Sequence, residues 1–177
     1  MTVIALTGTP GVGKTSVSAE LRRRGYAVVD INEHLKKYGL LGERDVLRDT
    51  YNVDMDALNS SLAEYRAKPG LVFLDSHLSH ETDCSRIIVL RCEPHVLAER
   101  LRARGYAERK VRENVQAEVL DVILCEATDT EIPVNEIDCT YGKAADAAVL
   151  IERIIKGEGG LCPPGKVDWS GEMEEWF

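Results

Sequence analysis

The chain has 177 residues, 44% of them hydrophobic and 29% charged, and its formal net charge is −8 at pH 7. That size and balance suit one globular domain with a sizeable core. The acidic balance argues against a broad basic face for nucleic acid, and no run of about 18 apolar residues is present to span a membrane. Met1-Thr2-Val3 enters the first predicted strand with no basic segment or cleavage site before it, so a cytoplasmic location is expected. The cysteines, Cys84, Cys92, Cys125, Cys139 and Cys162, form no C-x-x-C pair. Reduced thiols are expected, ahead of a zinc site or a disulfide frame.

Thr2 to Leu6 is an apolar, β-rich run that reads as a buried strand. It opens onto Gly8-Thr9-Pro10-Gly11-Val12-Gly13-Lys14-Thr15, which fits G-x-x-x-x-G-K-[ST]. Val17, Ala19 and Leu21 then predict a helix closed by Gly25. Strand, glycine loop and helix start are the context a phosphate-binding loop needs. Glycines let backbone N–H groups curl round a polyphosphate, and the helix start adds partial positive charge. Lys14 is expected to reach the β- and γ-phosphates and the Thr15 hydroxyl to hold Mg²⁺, with Ser16 adding a first-turn donor. Gly11 and Gly13 also begin G-x-G-x-x-G, but Ser16 breaks that dinucleotide fingerprint.

Val28 to Ile31 predicts a second strand ending near Asp30, with Asn32 capping a short helix through Tyr38 that Gly39 stops. Residues 39–53 read as polar and irregular, with Arg44, Asp45, Arg48 and Asp49. Asp54 caps a further helix on which Leu58, Ser61, Leu62 and Tyr65 share a face, and Pro69-Gly70 ends it. So long an excursion between two strands is a place where function tends to reside. Leu71 to Asp75 is a third strand, apolar throughout and therefore expected to be central and parallel. Asp75 ends it, on the edge where parallel sheets bind ligands and in the position of a Walker B carboxylate beside Mg²⁺. The bland alternative is an ordinary strand-end turn residue. His77 lies on the same edge, where a polar role near the γ-phosphate competes with a structural or exposed histidine.

Arg86 to Cys92 predicts a fourth strand, and Glu93-Pro94 opens a helix with Leu97 and Leu101 on one face. The stretch from Arg100 to Arg112 is the most basic of the chain, and Gly105 interrupts it. A solvated helix face is the ordinary meaning of such a run. A short arginine-bearing lid over a triphosphate would explain both the charge and the interruption, because a planar guanidinium pairs with phosphate oxygens. Val111, Val115, Val119, Val122 and Ile123 predict one long helix ending near Thr128. Glu136 to Tyr141 is a fifth strand, followed by a last core helix with Val149, Ile151, Ile154 and Ile155 that Gly157 closes.

From Glu158 a glycine- and proline-rich linker leads to a tail that holds both tryptophans. Trp169, Met173, Trp176 and Phe177 fall on one helical stripe, with glutamates opposite. Such a tail either docks on its own domain or serves as an acidic aromatic anchor for a basic partner. Strand–helix alternation gives an α/β P-loop NTPase fold, a five-stranded parallel sheet with helices on both faces. No Asn-Lys pair occurs, so the N-K-x-D element of guanine recognition is absent.

The segments G-T-P-G-V-G-K-T at 8–15, D-S-H at 75–77, R-G-Y-A-E-R-K at 104–110 and N-V-Q-A-E-V-L at 114–120 together resemble the adenylate kinase isoenzyme 6 family. The resemblance spans residues 1–156. It implies a nucleoside monophosphate kinase that moves the γ-phosphate of ATP to AMP, with an accompanying ATPase activity. It also implies a part in small ribosomal subunit (rRNA) maturation through ribosomal protein eleven of that subunit. Carried over by position, Gly11, Gly13, Lys14, Thr15, Ser16 and Arg104 would bind ATP, and Thr15 and Asp75 would hold Mg²⁺. The excursion at 30–53, with Asp30 and Lys36, would hold the monophosphate, and residues 103–113 would form the lid of a core spanning 1–157. Lys14 and Arg104 would neutralise charge on the transferred phosphoryl group, while Asp75 and His77 would orient water for hydrolysis. Lys36 stands where family members often carry arginine, and Ser76 replaces an aromatic residue common before the histidine. Two other functions fit the same chain: an ATP-driven ribosome assembly factor with residual kinase activity, and a small-metabolite kinase.

Overall fold

The computed structural model describes residues 2–45, 50–67 and 69–177. In chain order the elements are β1 (Thr2–Thr7), α1 (Lys14–Arg23), β2 (Ala27–Asp30), α2 (Ile31–Tyr38), β3 (Leu41–Asp45), β4 (Thr50–Val53), α3 (Met55–Ser61), α4 (Ala63–Ala67) and β5 (Leu71–Asp75). There follow β6 (Arg86–Arg91), α5 (Pro94–Ala103), α6 (Glu108–Val119), α7 (Val122–Thr128), β7 (Val134–Asp138), α8 (Ala144–Ile155) and α9 (Met173–Trp176). The expected parallel sheet is present, with five strands in the order β2-β5-β1-β6-β7.

Side chains alternate across the sheet with a period of two, so β1 feeds both faces. Ile4 and Leu6 join Val17, Leu21, Leu97, Leu101, Val111 and Ile151 on one side. Val3 joins Val72, Leu74, Ile31, Leu35 and Leu58 on the other, while Ala5 packs with Ile87, Val89 and Leu124. Because β1 lies between β5 and β6, the chain departs from it to one side and later returns on the other. That reversal opens a crevice at the carboxyl edge, directly after β1. Register brings the edge residues together: Leu6 of β1 is opposite Asp75 of β5, which is opposite Asp30 of β2.

Several local expectations change. The region expected to be irregular forms an antiparallel pair, with Leu41 opposite Val53 and Asp45 opposite Thr50. Leu41 and Val53 pack against the cluster of Leu35 and Leu58, and this apolar support gives the pair a reason to form. Arg48 and Asp49 lie outside the described residues. Asp30, not Asn32, caps α2: its carboxylate accepts from the Glu33 amide at 3.0 Å. Asp54 caps α3 as expected, accepting from the Ala57 amide at 3.0 Å. The helix that follows breaks at Leu62, where the Ser61 hydroxyl has turned back to the Leu58 carbonyl at 2.7 Å.

The predicted long helix through Thr128 is also two helices, separated at Asp121, whose φ is 55°. A non-glycine residue in the left-handed region needs a reason. Here the Asp121 carboxylate meets the guanidinium of buried Arg91. The tail packs on its own domain. Trp176 is buried in the core cluster that holds Val111 and Val115, and Gln116 Nε2 donates to its carbonyl at 2.7 Å. No helix among the described residues is long and apolar enough to cross a membrane, and all five cysteines are free.

Candidate active site

The loop between β1 and α1 turns on glycines. Gly8 and Gly11 have φ of 136° and 99°, which L side chains rarely adopt. A Cβ at Gly8 would also lie 2.4 Å from the Leu90 carbonyl oxygen, so the loop crosses β6 at a distance only glycine permits. Arg100 secures the loop from behind. Its guanidinium donates to the Val12 carbonyl at 3.2 Å and to the Thr140 carbonyl at 2.6 Å.

The loop opens on a cavity of about 1000 Å³. Gly11 and Gly13 line it from the loop, Lys14 and Thr15 from the start of α1, Asp30 from β2, Asp75 from the end of β5, His77 from the segment that follows, and Arg104 from the turn after α5. Leu41, Tyr51 and Val53 of the β3–β4 pair close one wall, with Leu35 beside them. Tyr106, Lys110 and Asn114 cover another. A second cavity of about 300 Å³ adjoins it and shares Gly11, Gly13 and Arg104; Ser16, Cys139 and Lys143 line this smaller one. Lys36 lines neither cavity and is exposed on α2. Asp30 reaches the large cavity, but one of its oxygens is engaged in the α2 cap.

Lys14 extends back along the loop, where its Nζ donates to the carbonyls of Gly8 at 2.5 Å and Thr9 at 3.1 Å. Burial lowers its ammonium to about 8; Asp75 and Glu118 offset part of that effect, and Arg104 adds to it. Asp75 accepts from the Ser18 hydroxyl at 2.6 Å. Burial pushes its carboxyl above the usual range, against the opposing effects of Ser18 and Lys14. His77 is brought down to about 4, first by burial and then by the Lys14 charge, so it is neutral at pH 7. A half-buried lysine whose hydrogen bonds among the described residues go to two carbonyls, a buried carboxylate and an arginine thus face one cavity.

The contact between two polar residues, Thr9 of the loop and Glu118 of α6, escaped sequence reasoning. Thr9 donates to Glu118 Oε2 at 2.5 Å, and Glu118 is 3% exposed. Glu118 Oε1 in turn accepts from Arg91 Nε at 2.8 Å. A signal existed: Glu118 falls among Val111, Val115 and Val119 on the apolar stripe of α6, where a carboxylate is out of place without a partner.

Comparison with known proteins bears on the chemistry of this edge. A family model described as an AAA domain matches residues 4–121. A protein of Methanocaldococcus jannaschii named "Putative adenylate kinase" is 44% identical over 176 residues, covering 98% of this chain and 94% of that protein. One of the same name from Methanothermobacter thermautotrophicus is 43% identical over 171 residues, covering 96% of this chain and 98% of that protein. Among solved structures, a shikimate kinase from Acinetobacter baumannii in complex with shikimate superposes with a TM-score of 0.59 at 20% identity, covering 89% of this chain and 94% of that one. A gluconokinase from Sinorhizobium meliloti gives 0.53 at 18%, covering 91% and 93%. At such identities these two show the shared P-loop kinase fold alone. The sequence relatives go further, and the chain belongs to the P-loop kinase family whose curated members carry the adenylate kinase name.

Proposed function

We propose that this kinase transfers the γ-phosphoryl group of ATP to AMP or a closely related nucleoside monophosphate, with slower hydrolysis of ATP as a second activity. The observation that carries the reading is the half-buried Lys14 ammonium, whose hydrogen bonds among the described residues go to two loop carbonyls, at a cavity it shares with Asp75, His77 and Arg104. An incoming polyphosphate would pair its oxygens with this cation. The adjoining cavities offer two places, one for the donor base beside Ser16 and Lys143, one for the acceptor beside the β3–β4 pair. Leu35, Leu41, Tyr51 and Val53 give the acceptor wall an apolar and aromatic surface suited to a flat base.

The acceptor phosphate is already anionic, so the transfer needs no general base. Lys14 and Arg104 bind and orient the transferred group and neutralise its charge. The Thr15 hydroxyl and the Asp75 carboxylate are hard oxygen donors lining one cavity, and they would hold Mg²⁺. The ion supplies charge neutralisation of the phosphate oxygens when bound. For hydrolysis, neutral His77 is free to accept a hydrogen bond from water, with Asp75 beside it.

A coupled assay over AMP, CMP, dephospho-coenzyme A and shikimate, with ATP and Mg²⁺, tests the reading. Turnover of AMP or CMP above the others is expected; turnover of shikimate alone would move the protein to the metabolite kinases. A part in small-subunit maturation, implied by the sequence resemblance, is supported here only by the net charge of −8, which suits a basic partner. Stimulation of ATP hydrolysis by ribosomal protein eleven, with little AMP turnover, would favour the assembly-factor reading.

A further inference from the structure

A single carboxylate joins the phosphate loop to the helix that covers the cavity. Thr9 and Glu118 are each 3% exposed, and the Thr9 hydroxyl donates to Glu118 Oε2 at 2.5 Å. The other oxygen, Oε1, accepts from Arg91 Nε at 2.8 Å and from the Cys92 amide at 3.1 Å. Arg91 is 1% exposed, and it also donates to Glu136 Oε1 at 2.5 Å, to the Glu118 carbonyl at 3.1 Å and to the Asp121 carboxylate. One buried guanidinium thus meets three carboxylates. A carboxylate held on this many sides cannot swing away, so Thr9 has a fixed acceptor.

The position of Thr9 gives this fixed point a bearing on the reaction. Its carbonyl is one of the two that hold Lys14 Nζ. Glu118 lies on α6, whose earlier turns carry Lys110 and Asn114 over the large cavity. The negative charge of Glu118 also favours the protonated form of Lys14. The hydrogen bond from Thr9 therefore sets the loop, its lysine and the covering helix in one frame.

We propose that Glu118 is a positioning residue for phosphoryl transfer, acting through the Thr9 hydroxyl on the phosphate loop and its lysine. The inference rests on the kinase reading above. It goes beyond that reading in naming a buried residue that touches no substrate.

The test compares Thr9→Val, Thr9→Ser and Glu118→Gln with the unaltered protein. Four quantities are measured: kcat, KM for both substrates, affinity for a non-hydrolysable ATP analogue, and thermal midpoint. A buried hydrogen bond to a charged acceptor is lost in Thr9→Val, so kcat is expected to fall about ten- to hundredfold while the acceptor KM stays within about twofold. Thr9→Ser keeps the hydroxyl and recovers most of the lost rate. Glu118→Gln slows turnover at least as much, and Thr9→Val decides the matter if that variant does not fold, because it leaves the Arg91 cluster intact. A Thr9→Val protein with a lowered thermal midpoint but unchanged kcat overturns the proposal, as does a Thr9→Ser protein as slow as Thr9→Val. If the unaltered protein neither binds the analogue nor turns over any acceptor, the kinase reading falls and takes this inference with it. An active unaltered protein with insensitive variants sinks this inference alone.

Discussion

Lys14 is poised between two states of charge. Its ammonium, lowered to about 8 by burial, would be held protonated by the charge of a bound polyphosphate. The free group is therefore more easily deprotonated than the bound one, and affinity should be level below about pH 7 and decline above about pH 8, by up to about tenfold per pH unit. Calorimetry with metal-free ATP between pH 7 and 9.5 reads this directly, and Lys14→Met should remove the step. His77 carries the opposite lesson. With its pKa near 4 it stays neutral across the physiological range, so it can serve as a hydrogen-bonding group and not as a charge. Replacing it by alanine should slow ATP hydrolysis by about tenfold or more and affect transfer to AMP less, since only hydrolysis requires an oriented water. Equal hydrolysis rates in the two proteins would remove His77 from that role.

The turn from α5 to α6 shows what an element boundary can do. Arg104 is the C-cap residue of α5, Gly105 follows with φ of 79°, and α6 begins at Glu108. Placing an arginine on so short a turn leaves its head free to face both cavities that meet at Gly11 and Gly13. Loss of a charge contact made in the transition state costs about 10²- to 10³-fold in rate. Arg104→Ala should therefore lower kcat by about that factor, and Arg104→Lys should recover only part, because an ammonium cannot reproduce the planar fork. The other end of α6 is anchored instead. Asp121 adopts a left-handed backbone beside Arg91, which fixes where α6 stops and α7 starts.

At the scale of the molecule, the tail belongs to the core. Trp176 is 8% exposed within the cluster that includes Val111 and Val115. The backbone amides of Lys166 and Val167 donate to Glu136 Oε2 at 2.9 and 3.3 Å. His95 meets both Glu172 and Glu175. Trp176→Ala empties a large buried volume and should cost about 3 kcal/mol of stability, seen as a lower denaturation midpoint with little change in ATP-analogue affinity. Removing residues 158–177 should destabilise the protein further, since it also strips two donors from a buried carboxylate that Arg91 needs. A truncated protein as stable as the full chain would show that the tail rests on the surface without supporting it.

The amino-acid sequence by itself determined the parallel sheet, the phosphate loop and the placement of Asp75 at a strand end. These are written in local patterns: an apolar run of four residues, Leu71 to Leu74, ahead of Asp75, glycines where the backbone must turn, and a lysine at a helix start. The break at Asp121, the β3–β4 pair, the exclusion of Lys36 from the cavity and the docking of Trp176 were decided by the tertiary structure. The same holds for the contact of Thr9 with Glu118. Each of these depends on groups far apart in the chain. Helical periodicity favours continuing through Leu120, but a buried guanidinium on β6 needs carboxylates, and satisfying it outweighs the preference of one residue for a helical backbone.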